Sequence, residues 1–163
     1  MALSTITIRP ATASDAPALG RMGAMLVALH HQFDPERFME ATPNTQRGYG
    51  DFLGSQLGKP DVIVLVAEQA GAVVGYSYAG LEGNDYMVLR GPAGVVYDLL
   101  VEPERRGEGI GRLLLDAVLA ALVERGAPRV VLSTAERNPG AQKLFAEKGF
   151  RRTMVEMTWE AEG

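Results

Sequence analysis

The sequence contains no cysteine, which removes disulfides, thiolate metal sites and cysteine nucleophiles together. It has only two histidines, His30 and His31, and adjacent residues on a helix do not face the same way, so no metal site is expected. No apolar run approaches the roughly 20 residues that a membrane-crossing helix needs, and no membrane partner is expected. The opening "MALSTITIRP" has neither a basic region nor an apolar core, so it does not read as a secretory signal, and a cytoplasmic address is expected. A basic excess is missing too: the net charge is −4 and the pI near 5.2, which excludes a general nucleic-acid binder and suits a cationic small partner.

What is present is an ordinary globular composition. The 163 residues are 47% apolar and 22% charged, enough for one domain, expected to span 1–163, with a core that needs no covalent staples. Residues 5–9, "TITIR", alternate with Ile6 and Ile8 on one face and predict a short strand stopped by Pro10. From Ser14, a candidate N-cap, Leu19, Met22, Met25, Leu26 and Leu29 recur at helical spacing. Residues 30–45 lack a period and are expected to be a loop or broken helix. Tyr49, Phe52, Leu53 and Leu57 give a second helical stripe. Residues 61–81 predict a hairpin that turns at Gln69, Ala70 and Gly71.

Residues 95–101, "VVYDLLV", form a near-continuous apolar run expected to be a strand buried on both faces. The helix that follows should turn Ile110, Leu113, Leu114, Ala117, Val118, Ala121 and Leu122 inward and stop at Gly126 and Pro128. "RVVLST" at 129–134 predicts another buried strand, parallel to the first through a right-handed crossover. Asn138 and Pro139 start a last helix carrying Ala141, Leu144 and Phe145 and ending at Gly149, and residues 153–160, "TMVEMTWE", alternate as a closing strand.

The stretch "ERRGEGIGRLLL" at 104–115 carries the chemistry. A dinucleotide fingerprint would need a third glycine where Leu114 stands and an acid at the end of the second strand, where Ser133 and Thr134 stand instead. A Walker A loop would need a lysine after the glycines, and none is there. What remains is a glycine-rich mouth of a long helix preceded by arginines. Such a stretch is either a flexible turn with solvated charges or a pyrophosphate seat, in which glycines let the N–H groups converge and the helix adds partial positive charge. Arg106 or Arg112 would supply a charge-assisted contact.

These residues resemble the GNAT superfamily of N-acetyltransferases. Arg106, Gly109 and Gly111 meet that family's acetyl-CoA signature, an Arg or Gln followed three and five residues on by Gly and Gly or Ala. "NPGAQKLFAEKGF" is similar to its second signature at Asn138, Ala141, Leu144, Gly149 and Phe150. The resemblance implies an α/β (α+β) fold: a single mixed, mostly antiparallel sheet with a central parallel strand pair splayed for acetyl-CoA and helices on both faces. It implies acetyl-CoA as cosubstrate with no metal, an amine acceptor on a small molecule or protein, and direct attack in a ternary complex; a homodimer is in keeping with it.

By the same resemblance the pyrophosphate lies on the backbone of Arg106, Gly107, Glu108, Gly109, Ile110 and Gly111, with Arg112 at the helix mouth. The pantetheine arm pairs with Leu99, Leu100 and Val101, and an amide there, assigned to Leu100, holds the thioester oxygen as it becomes negative. Asn138 matches the residue near the cofactor arm, and a plain helix cap explains it equally well. Asp98 is the first candidate for the proton acceptor, ahead of Glu82 and His31; a carboxylate that only orients its neighbours is the competing reading. Phe145 stands where many relatives carry a tyrosine that protonates the leaving thiolate, so Tyr97 or another hydroxyl substitutes, or the thiolate leaves to water. Residues 30–45 and 82–94 are expected to shape the acceptor pocket, its rim carrying Asp34, Glu36, Glu40, Glu82 and Asp85.

Overall fold

The computed structural model describes residues 4–162. Five strands form one sheet in sequence order: β1 (Thr7–Pro10), β2 (Val62–Gln69), β3 (Ala72–Glu82), β4 (Ala93–Val101) and β5 (Val130–Leu132). The first three pairings are antiparallel, and β4 and β5 are parallel. Helices α1 (Ala16–Phe33) and α2 (Thr45–Gln56) cover one face, while α3 (Ile110–Glu124) packs on the other beside α4 (Pro139–Glu147). The mixed sheet with helices on both faces matches the expected fold class.

Each face of the sheet carries its own core, as alternation along strands requires. Leu19, Met22, Leu53, Val66 and Tyr76 close one cluster under α1 and α2. Ile110, Leu114, Leu115, Val118 and Leu122 close the other under α3. That stripe corrects the expected inward set: Leu113 is largely exposed and Leu115 is buried in its place. The hairpin turns at Ala70 and Gly71, both with positive φ, the mirror-image geometry that follows strand twist.

Four further expectations are corrected. Helix α1 opens at Ala16 after a short 3-10 turn, Ala13–Asp15, so Ser14 is not its cap; Thr12 and Asp15 form a capping box instead. The helix runs on to Phe33, because nothing in "HHQF" breaks it before Asp34. Strand β5 is short and only partly buried, since it pairs with β4 alone, and β4 itself exposes Tyr97. Residues 151–162 form no strand, and every one of them is exposed. Alternation makes a segment fit a sheet but does not supply a neighbour, and this one pairs with no strand among the described residues.

Glycine decides one contact that matters for the site. A Cβ at Gly23 of α1 would overlap the Tyr49 ring, so only glycine lets that tyrosine lie flat on α1 and reach the sheet.

Candidate functional site

Strand β4 builds the site through two irregularities, one on each edge. On the β3 side Tyr78 opposes Asp98 and Ala79 opposes Val96, which leaves Tyr97 as an extra residue. Such a bulge bends a strand and re-aims its side chains. On the β5 side the parallel ladder runs from Gly94 and Val130 to Val96 and Leu132 and then stops. Past that point the chain turns toward α4, so the strands part. The resulting cleft has a volume of about 240 Å³, with Asp98, Leu99, Ser133, Thr134, Asn138 and Phe145 among the residues on its walls.

The parted edge leaves backbone amides free. The Glu102 amide donates to the Val74 carbonyl at 2.9 Å. Strand alternation from there aims the Leu100 amide at β3 and the Leu99 and Val101 amides at the open edge. The oxyanion donor expected at Leu100 is therefore better placed at Leu99 or Val101.

Val101 leads through a short 3-10 turn, Pro103–Arg105, to the mouth of α3. Gly107 and Gly109 both hold φ near +80°, and a Cβ at either would meet nothing within 4 Å, so the loop is open above them. Gly109 is the N-cap, no side chain caps the helix, and its first turn carries no acid. The amides of the first helical turn therefore lack intrahelical partners and converge on open space, which fits a diphosphate. Arg106 is exposed with no ion pair among the described residues, whereas Arg105 pairs with Glu108 at 2.7 Å and Arg112 pairs with Glu147. Helix α4 differs: the Asn138 side chain accepts the Ala141 amide at 3.2 Å, so Asn138 is a helix cap that also lines the cleft.

Asp98 is 8% exposed. One oxygen, Oδ2, accepts the hydroxyls of Tyr49 at 2.7 Å and Tyr76 at 2.9 Å. Burial pushes its pKa above the usual carboxylate range, against the pull of the two tyrosine donors and of His30. Burial beside this carboxylate raises both tyrosines in turn. A carboxylate that is buried, raised and open to a cleft is suited to accept a proton.

Sequence reasoning missed His30. Its ring lines the cleft, braced edge-on by Phe33 and Phe38. Nδ1 lies 2.8 Å from the Leu26 carbonyl, which can only accept, so in the neutral ring Nδ1 carries the proton and Nε2 presents a lone pair. The signal was available: His30 continues the face of Leu19, Met22 and Leu26 once α1 is extended to Phe33. His31 instead contacts the Phe38 carbonyl at 2.9 Å and is absent from the cleft walls.

Of the other candidates, Glu82 lies outside the cleft, while Tyr97 and Phe145 line it. Glu82 is held by Arg90 at 2.8 Å and receives the Tyr97 hydroxyl. Tyr97 lines the cleft beside Asp98, but its hydroxyl is given to Glu82, and burial with the Glu82 charge raises its pKa, which makes it a weaker acid toward a thiolate. Residues 82–94 do not line the cleft; Phe38 and Met39 do. Phe145 sits in the cleft wall with no proton to give.

A sheet parted between two parallel strands, over an uncapped glycine mouth, places the chain in a known group. It belongs to the acetyltransferase (GNAT) family, which matches residues 24–150. A mycothiol acetyltransferase of Thermobispora bispora is 41% identical over 99 residues, 58% of this chain and 32% of that protein. The chain thus spans about a third of that relative's length. The crystal structure of a mutant BH1408 protein from Bacillus halodurans superposes with TM-score 0.79 at 23% identity, covering 96% of this chain and 99% of that one. A predicted acetyltransferase from Clostridium acetobutylicum with acetyl-CoA superposes with TM-score 0.73 at 16% identity, covering 94% and 96%. Among the described residues no helix is long and apolar enough to cross a membrane, and no cluster of three or more His, Asp or Glu is spaced to hold a metal.

Proposed function

We propose that the chain is a single-domain, cytoplasmic N-acetyltransferase that moves the acetyl group of acetyl-CoA to a primary amine by direct attack in a ternary complex. The observation that carries this reading is the end of the β4–β5 ladder at Val96 and Leu132, which opens the Leu99 and Val101 amides beside the buried Asp98. Relatives named as acetyltransferases, one of them solved with acetyl-CoA, support the donor.

In this reading the diphosphate lies on the amides of Gly109, Ile110 and Gly111, with Arg106 free to reach it. The pantetheine arm fills the gap beside Leu99 and Val101 and pairs with their backbone as an added strand. The amine nitrogen attacks the thioester carbon, and an amide N–H of β4 holds the oxygen that becomes negative. The proton lost by the amine passes to Asp98, directly or through water, with His30 Nε2 as a second acceptor facing the same space. Collapse of the tetrahedral intermediate forms the amide bond and expels the CoA thiolate. No tyrosine stands at Phe145, so the thiolate takes its proton from solvent; with an ordinary thiol pKa of about 8.5 it is a fair leaving group unaided.

The amine belongs to a small molecule or a protein side chain, and a homodimer forms part of the reading. The test is to mix the protein with acetyl-CoA and a panel of polyamines, amino acids, aminoglycosides and peptides, and to follow free thiol. Thiol release that depends on one acceptor class is expected. The missing hydroxyl at Phe145 favours one rival, a module that binds CoA without turnover. Thermal stabilisation by CoA with no thiol release across the panel would establish the rival. Turnover with another acyl-CoA but not acetyl-CoA would correct the donor alone.

A further inference from the structure

The cleft has two halves of different character. After β5 and at the start of α4, Ser133, Thr134 and Asn138 supply polar groups, on the side assigned above to the pantetheine arm. From the end of α1 and the chain after it come Leu26, Val27, Phe38 and Met39, none of which carries a charged or strongly polar side-chain group. Tyr97 adds a ring rather than a hydroxyl to this second half. Its oxygen is given to Glu82, and its ring is tilted onto Tyr78 with centroids 4.8 Å apart. A Cβ at Gly80 would stand 3.3 Å from that ring, so glycine lets the ring lie close over β3.

Charges around these walls are few and already matched. Asp98 is the one carboxylate on the cleft walls among the described residues. Its Oδ2 accepts both tyrosine hydroxyls, and its Oδ1 has no hydrogen-bond donor among the described residues, which leaves room for one N–H. The acidic rim expected at Asp34, Glu36, Glu40, Glu82 and Asp85 is absent from the walls. The charge that lies on Phe38 is positive: the Arg37 guanidinium stands 4.9 Å from the ring centroid, and Glu156 accepts from it at 2.8 Å. A second ammonium on the acceptor therefore finds no free carboxylate on the walls and leaves water without compensation. An apolar body meets the opposite balance, because it gains by leaving water and has no polar group to satisfy.

We propose that the acceptor is a monoamine on an apolar or aromatic body, with the body seated on Leu26, Val27, Phe38, Met39 and the Tyr97 ring and the nitrogen facing Asp98 Oδ1. The proposal rests on the transferase reading and narrows it to one class of amine. One free carboxylate oxygen serves one nitrogen, and the apolar half of the cleft serves the carbon attached to it. Polyamines and aminoglycosides, which carry several ammonium groups, are poor acceptors in this arrangement.

Phenethylamine and hexylamine are the probes, set against spermidine, an aminoglycoside and a lysine-containing peptide, with free thiol followed at fixed acetyl-CoA. The kcat/KM of the two monoamines should exceed that of spermidine by roughly thirtyfold, the effect of taking about 80 Å² of apolar surface out of water. Met39 is 78% exposed, so Met39→Glu should fold as the parent does while offering a second ammonium its missing carboxylate. The ratio of phenethylamine to spermidine should then fall about fivefold, and Met39→Leu should keep it. Equal use of all the amines, a preference for spermidine, the aminoglycoside or the peptide, or a ratio untouched by Met39→Glu would overturn the inference and leave the transferase reading standing. If no amine releases thiol, the transferase reading fails and binding alone tests the seat. The neutral amide N-phenethylacetamide should then bind saturably by ligand-observed NMR, and more weakly to Met39→Glu. No binding of that amide at millimolar concentration would overturn the inference.

Discussion

Removing the Tyr49 hydroxyl tests whether Asp98 accepts the proton or merely braces the sheet. In Tyr49→Phe the Asp98 carboxylate loses the closer of its two hydroxyl donors, at 2.7 Å, and keeps Tyr76 at 2.9 Å. A hydrogen bond to a charged acceptor is worth about 1.5–3 kcal/mol, and water at the cleft recovers part of it. A net loss near 1.4 kcal/mol corresponds to a rise of about one pKa unit. Both tyrosine hydroxyls favour the charged carboxylate, so losing one adds to the upward push of burial. In the proposed mechanism the competent form is the carboxylate, so activity should rise with pH through this pKa. The ascending limb of the kcat/KM profile, which reports the free enzyme, should therefore move up by about one pH unit in Tyr49→Phe. Well below the limb the rate should fall about tenfold, and on the plateau it should be nearly unchanged. A folded Tyr49→Phe protein whose limb stays in place would refute Asp98 as the acceptor and leave His30 to carry that role.

Gly109→Glu places a carboxylate at the N-cap of α3, where a side chain meets open space and strain at φ +82° costs about 1 kcal/mol. The protein should fold, and calorimetry should show CoA affinity lowered at least a hundredfold. Asp15→Asn removes a carboxylate that Arg9 grips at 2.7 and 3.0 Å and that also accepts the Thr12 amide. Arg9 holds the Asp15 pKa below its usual value, so its stabilisation is present above the unfolded value near 3.9 and fades as pH falls below it. Urea unfolding at pH 7 should show a loss of about 2 kcal/mol that shrinks at pH 3. Leu114→Ala, at a fully buried position, should lose about 3–5 kcal/mol in the same assay.

The parts of the fold that repeat along the chain were legible. The helical stripes that carry Leu19 and Met22 in α1 and Leu53 in α2, the hairpin at Gly71 and the parallel crossover into β5 all follow from period and turn residues. Within the site, the glycine loop was legible because positive φ has few other residues to serve it, and Asp98 stood out as a lone acid in an apolar strand. His30 was hidden by ending α1 too early. The bulge at Tyr97 and the direction of the Leu99 and Val101 amides were hidden because strand register depends on partners distant in sequence. The same limit explains residues 153–160, whose alternation is real while no strand among the described residues pairs with them.

Backbone amide chemical shifts during titration with CoA address the central claim most directly, because each amide of the cleft and of the helix mouth reports separately. The account predicts large shifts at Leu99 and Val101 on the open edge of β4 and at Gly109, Ile110 and Gly111, with Leu100 moving little. Saturable binding that leaves those five amides unmoved would contradict it.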